Sequence, residues 1–208
     1  MLSLYRNGTL QNLIQVTQEY KADLLAIQEV RWLGRSIIEK KDCTVYYSCD
    51  NKQHIFGTGF IVSKSIRLII EFKPINRRMC VLRIRGKFEN YSYICAHAPT
   101  EEKSERKKYQ FYGRLDRMYK QCPSYNIKII LGNMNAKVGK EIWTGIAVGT
   151  CGLHDESNDD GTRLINDAVH QRMFIGGTLF PHRNIHKGTW QGPDDRTIKQ
   201  TDHIMIDQ

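Results

Sequence analysis

The chain has 208 residues, 40% hydrophobic and 25% charged, enough to bury a real core within one domain and unlike a disordered, collagen-like or coiled-coil polymer. No apolar run reaches the roughly 18 residues of a membrane span, and residues 1–6 lack a signal peptide's apolar segment, so a soluble, intracellular protein is expected. A net charge of +9 favours a polyanionic partner, of which nucleic acid is the commonest, and a chain that acts on DNA would be nuclear.

Thr9 is placed to cap a helix whose Leu10, Leu13, Ile14 and Thr17 fall near one face and which ends before Lys21. Residues 24–27 read as a short buried strand. Aromatic and β-branched residues then predict strands over 44–48, 59–63, 67–72, 79–85 and 90–96, a spacing that suggests an antiparallel meander. Gly57-Thr58-Gly59 is too short for a dinucleotide fingerprint and reads as a tight turn. Residues 101–121 carry a helical period with Tyr109, Tyr112, Leu115 and Met118 as the core stripe.

The next strand is expected over 127–131, then a Gly-rich loop over 140–160, a helix over 161–172, and brief strands over 174–179, 188–191 and 202–206. Two sheets of mixed strands with helices outside would satisfy this order, because each helix follows a sheet segment and has an apolar face to bury. The fold class is therefore α/β, a layered sandwich, in one monomeric domain. The six cysteines are scattered with no C-x-x-C pair, which argues for reduced thiols rather than a zinc ribbon or a disulfide scaffold.

Chemistry is expected at strand ends. Glu29 closes the run Leu24-Leu25-Ala26-Ile27-Gln28, where its carboxylate would emerge as a hard-metal ligand or as a solvated glutamate. His97, just before Pro99 stops its strand, could donate a hydrogen bond to a phosphate oxygen or serve only structure. Asn133 and Asn135 share a face if their strand continues through them, and amides there could steady a phosphate or a water; Gly132-Asn133 reads equally well as a turn. Asp202 and His203 are adjacent in a strand and so point to opposite faces, which makes them a poor pair with each other. His182 and His186 are four apart in a stretch without helical pattern or an acidic or thiol neighbour, a weak case for zinc.

In order, LLAIQEV, GTGFIV, AHAPT, LGNMNAKVG, SNDDGTRL, FPHRNIHKGTW and TDHIMID resemble the endonuclease/exonuclease/phosphatase superfamily, and within it the endonuclease domains of non-LTR retrotransposons, craniofacial development protein 2-like branch. The resemblance covers nearly all of the chain. It implies a four-layered α/β sandwich, two mixed sheets flanked by helices, that cleaves phosphodiesters with Mg²⁺ or Mn²⁺ and takes DNA as partner. Glu29 would be the metal ligand. His97 would contact the scissile phosphate, Asn135 would steady it, and Asp202 would orient a catalytic histidine.

Asn133 stands where relatives carry the aspartate that aligns or deprotonates the attacking water. The resemblance also implies that residues 1–208 lack the family's first and last strands, including the terminal block with the catalytic histidine, unless Thr201-Asp202-His203 is itself that block. The expectation is an impaired nuclease; the alternative is a non-catalytic nucleic-acid-binding or scaffold protein on the same fold.

Overall fold

The computed structural model describes residues 3–140 and 147–208, which form two compact units, Met1–His97 and Ala98–Gln208. The part of the expected Gly-rich loop over 141–146 lies outside the described residues.

The first unit begins with helix α1 (Thr9–Glu19), and its N-cap is Gly8 rather than Thr9, with no side-chain cap bond. Four strands follow: β1 (Leu24–Gln28), β2 (Arg35–Glu39), β3 (Cys43–Ser48) and β4 (Thr58–Ser63), paired antiparallel in the order β1-β4-β3-β2. Gly57-Thr58-Gly59 is thus the entry to β4 rather than a free turn. Strand β2 escaped the sequence pattern because it is an exposed edge with Ile37 and Ile38 adjacent instead of alternating.

Leu10, Leu13 and Ile14 of α1 pack on one face of this sheet, over a core of Leu4, Ile27, Val30, Cys43, Val45, Cys49 and Ile61. The opposite face meets a second sheet, the meander β5 (Ile69–Asn76), β6 (Met79–Arg85) and β7 (Asn90–His97), with β4 against β6 and β7 and β1 against β7. Pro74 falls on the edge strand beside an irregularity in register, where a missing N–H is tolerated.

In the second unit β8 (Asn126–Asn133) pairs antiparallel with β12 (Asp202–Asp207), which pairs with β9 (Met173–Ile175). A two-stranded hairpin, β10 (Trp190–Gln191) and β11 (Ile198–Lys199), stands beside them in the chain. Helix α2 (Glu105–Gln121) starts four residues later than expected and buries Lys108, Phe111 and Leu115, while Tyr109 is 78% exposed. The stripe shifts because Lys108 pairs with buried Asp160 of helix α3 (Asp159–His170) at 2.9 Å, a partnership that hydropathy cannot signal.

Asn158 caps α3: its Oδ1 accepts from Gly161 N at 2.8 Å and from Lys137 N at 3.0 Å. The six cysteines are free thiols and five of them are buried. Among the described residues no helix is long and apolar enough to cross a membrane.

Candidate active site

In the first unit the site residues sit on two facing turns with unusual backbone. Glu29, Arg31 and Phe56 have φ of 54°, 59° and 59°, and Gly57 has 106°. Non-glycine residues seldom adopt this left-handed region, and where they do the surroundings must hold them, at a cost of about 1–3 kcal/mol each. Here Arg31 N donates to Phe56 O at 2.7 Å, Val30 N to Gly57 O at 3.3 Å, and Gly57 N to Arg77 O at 2.8 Å. Gly57 is required for space as well, because a Cβ there would meet Cys49 Sγ at 2.6 Å.

This turn carries the Glu29 carboxylate past the end of β1. Its Oε2 accepts from Arg31 Nε at 2.6 Å, and its Oε1 lies 3.4 Å from His97 Nδ1, without the alignment of a hydrogen bond. His97 ends β7; its N–H donates to Arg78 O, and Arg78 Nη1 donates back to His97 O, both at 2.9 Å. The Phe56 ring packs edge-on against the imidazole at 5.9 Å, and the Arg78 guanidinium lies over the same ring at 3.9 Å. Burial, reinforced by the positive Arg78 and opposed by Glu29, pushes the His97 imidazole down to about 4, so it is neutral at physiological pH.

The carboxylate of Glu29 is a hard oxygen donor, and among the described residues no group of three or more His, Cys, Asp or Glu is placed to hold a metal ion. That donor set fits Mg²⁺, which keeps several waters and needs only one or two protein carboxylates beside a substrate phosphate. Arg31, whose side chain is 48% exposed, has room to swing away from Glu29.

In the second unit β8 stops at Asn133 instead of running on, so Asn135 reaches its place through a turn and not through strand alternation. Asn135 N donates to Asn133 Oδ1 at 2.9 Å, and Asn135 itself has φ 50°. Its Nδ2 donates to Ala98 O, and Ala98 N donates to Asn133 O, both at 2.8 Å. Asp202 stands opposite Asn133 in the β8–β12 register. Burial pushes its carboxyl up, against a hydrogen bond with Thr189 that pulls it down.

His203 points to the other face, as alternation requires. Its buried Nε2 lies 2.8 Å from Ala136 O, and burial holds it at about 4. Beside Asn135 opens a cleft of about 450 Å³, lined also by Lys137, Trp190, Lys199, Thr201 and Glu101.

Sequence reasoning missed Arg31, Phe56 and Arg78 around Glu29, and Lys137 and Lys199 around Asn135. The left-handed turns have no residue signature at Glu29 or Arg31. The consecutive Arg77-Arg78 at a strand turn was a signal that could have been weighed.

No family model matches the chain. Craniofacial development protein 2 of Bos taurus is 34% identical over 202 residues, 97% of this chain and 34% of that protein. The chain is thus similar to craniofacial development protein 2 over almost its whole length. It spans about a third of the length of the curated relatives it matches. The endonuclease domain of TRAS1, a telomere-specific non-LTR retrotransposon, superposes with a TM-score of 0.66 at 13% identity, covering 100% of this chain and 83% of that one.

An endonuclease/exonuclease/phosphatase family protein from Leptotrichia buccalis gives 0.60 at 13%, over 98% of this chain and 84% of that one. TDP2 of D. rerio, in complex with a single-strand DNA product, gives 0.61 at 13%, over 95% and 76%. The chain therefore has the endonuclease/exonuclease/phosphatase fold, an α/β sandwich.

Proposed function

We propose that the chain is a Mg²⁺- or Mn²⁺-dependent phosphodiesterase domain of DNA-endonuclease type, related to those of non-LTR retrotransposons, whose turnover is slow because position 133 holds an amide. The observation that carries this reading is the Asn133 side chain. Its oxygen already accepts the Asn135 N–H, and an amide can neither bind a metal as an anion nor take a proton from water at neutral pH. A divalent ion held by Glu29 would polarise the phosphate and neutralise charge that develops on it.

The remaining groups bind and orient. His97, neutral and ringed by Phe56 and Arg78, is suited to donate one hydrogen bond to a phosphate oxygen. Asn135 has one Nδ2 hydrogen committed to Ala98 O and a second left for substrate. Asp202, opposite Asn133, serves to position its neighbours. The partner is DNA, and the place of action the nucleus.

The test is nicking of supercoiled plasmid with Mg²⁺. The expected result is a slow wild-type rate that rises by about 10²- to 10⁴-fold in Asn133→Asp and vanishes in Glu29→Ala. Fast cleavage by the wild type would refute the impairment.

A second reading, a non-catalytic nucleic-acid binder or scaffold, is favoured by the Arg31–Glu29 ion pair, which occupies the carboxylate a metal would need. Its signature is DNA affinity that falls steeply with salt, together with no cleavage in either variant.

A further inference from the structure

We infer that the chain self-associates through its edge strand β2, two copies pairing antiparallel about a two-fold axis at Ile37, in place of the monomer expected from the sequence.

Strand β2 closes one side of its sheet, with β3 as its neighbour. Lys40 N donates to Cys43 O at 2.9 Å, and Cys49 N to Gly34 O at 2.8 Å. Ser36 and Ile38 are in phase with those bonds and turn their N–H and C=O groups to β3. Arg35, Ile37 and Glu39 are out of phase, so their backbone groups face outward, where the sheet has no further strand among the described residues. Such a row of open donors and acceptors is a template for another strand.

The same unit has another edge strand, β5, and the two are built differently. β5 carries Pro74 and two breaks in register, devices that blunt an edge against pairing. β2 pairs with β3 in unbroken register over its five residues and contains no proline. Its central residue, Ile37, is β-branched and 52% exposed. Ile38 packs against the core, so Arg35, Ile37 and Glu39 project from the other face.

Charges on an edge ordinarily keep a second copy away, and a net charge of +9 acts in the same sense. On β2, however, the two charges are opposite in sign and equidistant from Ile37. A two-fold pairing there sets Arg35 against Glu39 of the partner subunit and Glu39 against Arg35 of the partner subunit, with the two Ile37 side chains between them on the same face. Among the described residues Arg35 has no ion-pair partner, and Glu39 has Lys64 alone, at 3.7 Å with both side chains exposed.

Other registers lose this match. A slip of one residue faces outward backbone groups with groups turned away, and a slip of two sets Glu39 opposite Leu33 or Arg35 opposite Lys41. One five-residue strand per copy is a smaller contact than the roughly 1,200–2,000 Å² of standard interfaces, so the dimer is weak, with a dissociation constant between about 1 μM and 1 mM.

Sedimentation equilibrium of the whole chain at physiological salt, at concentrations up to about 1 mM, tests this. Wild type is expected to form dimers and nothing larger, because each pairing covers the β2 edge of both copies. Arg35→Glu and Glu39→Arg each set like charges opposite one another and should weaken association by about 10-fold or more. Mixing these two variants should restore a heterodimer, and the double variant R35E/E39R should pair with itself as the wild type does.

Ile37→Pro removes the central outward N–H, a change that an edge strand tolerates, and should abolish the dimer; thermal unfolding of every variant checks the fold. A wild type that stays monomeric throughout would overturn the inference. So would association untouched by the single reversals or by Ile37→Pro, and so would a mixture or a double variant that stays monomeric. None of these outcomes bears on the phosphodiesterase reading, which the nicking assay decides.

Discussion

Asn133 sits at the end of β8 with its amide oxygen accepting from Asn135 N, a bond that a carboxylate oxygen makes equally well. Asn133→Asp is therefore expected to leave the thermal midpoint within a few degrees of wild type while it raises nicking, and differential scanning fluorimetry beside the plasmid assay checks both halves. Arg31 competes with a metal for Glu29, so Arg31→Ala should tighten Mn²⁺ binding several-fold, read by calorimetric titration; unchanged affinity would remove Glu29 from the metal site. Gly57→Ala must take a left-handed backbone and drive a methyl into Cys49, and should cost about 2–4 kcal/mol in urea unfolding.

At this scale the sequence disclosed the residues whose position follows from a strand ending. Glu29 and His97 were found that way, and the structure brings those two within 3.4 Å. For Asn135 strand and turn were equally open in the sequence, and the structure takes the turn. Arg31 and Phe56 stayed hidden because their left-handed geometry is imposed by backbone hydrogen bonds from partners distant in sequence.

Among elements, α2 and α3 are joined by charge as much as by apolar contact. Lys108 and Asp160 are both nearly inaccessible and lie 2.9 Å apart, with Asp159 of the same helix also near Lys108 at 3.5 Å. Lys108→Met leaves Asp160 buried and unpaired, at an expected cost of about 3–5 kcal/mol, and the further change Asp160→Leu should recover most of it.

Further along α3, burial pushes the Asp167 carboxyl up to about 6, with one oxygen lacking a partner. A carboxyl raised above its unfolded value is most favourable to folding when protonated. Its contribution is therefore lost as pH climbs from about 4 to about 6, and the penalty stays constant above that, roughly 3 kcal/mol. Asp167→Asn should raise stability at pH 8 and leave it unchanged near pH 4, compared by urea unfolding at both. The presence of the buried strands was readable because β-branched runs announce themselves. The exposed edge β2, the uncapped start of α1 and the polar side of the α2 stripe were not, since each depends on a neighbour that only folding supplies.

For the molecule as a whole, acid is the condition that exposes its hidden titrations. His97 and His203 are both held at about 4, well below the ordinary histidine value, each chiefly by burial. Unfolded histidines take up protons below about pH 6.5 while the folded ones refuse them. The stability these neutral rings retain at higher pH is thus lost as pH falls from about 6.5 toward 4, by roughly 3 kcal/mol for each ring.

The Asp167 gain over the same interval offsets only part of this. Urea midpoints should fall between pH 7 and pH 4.5, and a double substitution of both histidines should flatten the profile. A flat wild-type profile would mean the rings are solvated.

The Asn133–Asn135 turn has a consequence for lineage. Asparagine and aspartate are specified by triplets that differ in the first base alone, and the turn accepts either side chain without rebuilding. A single transition therefore separates this chain from one with an anionic centre, in both directions, with no misfolded sequence between them for selection to remove.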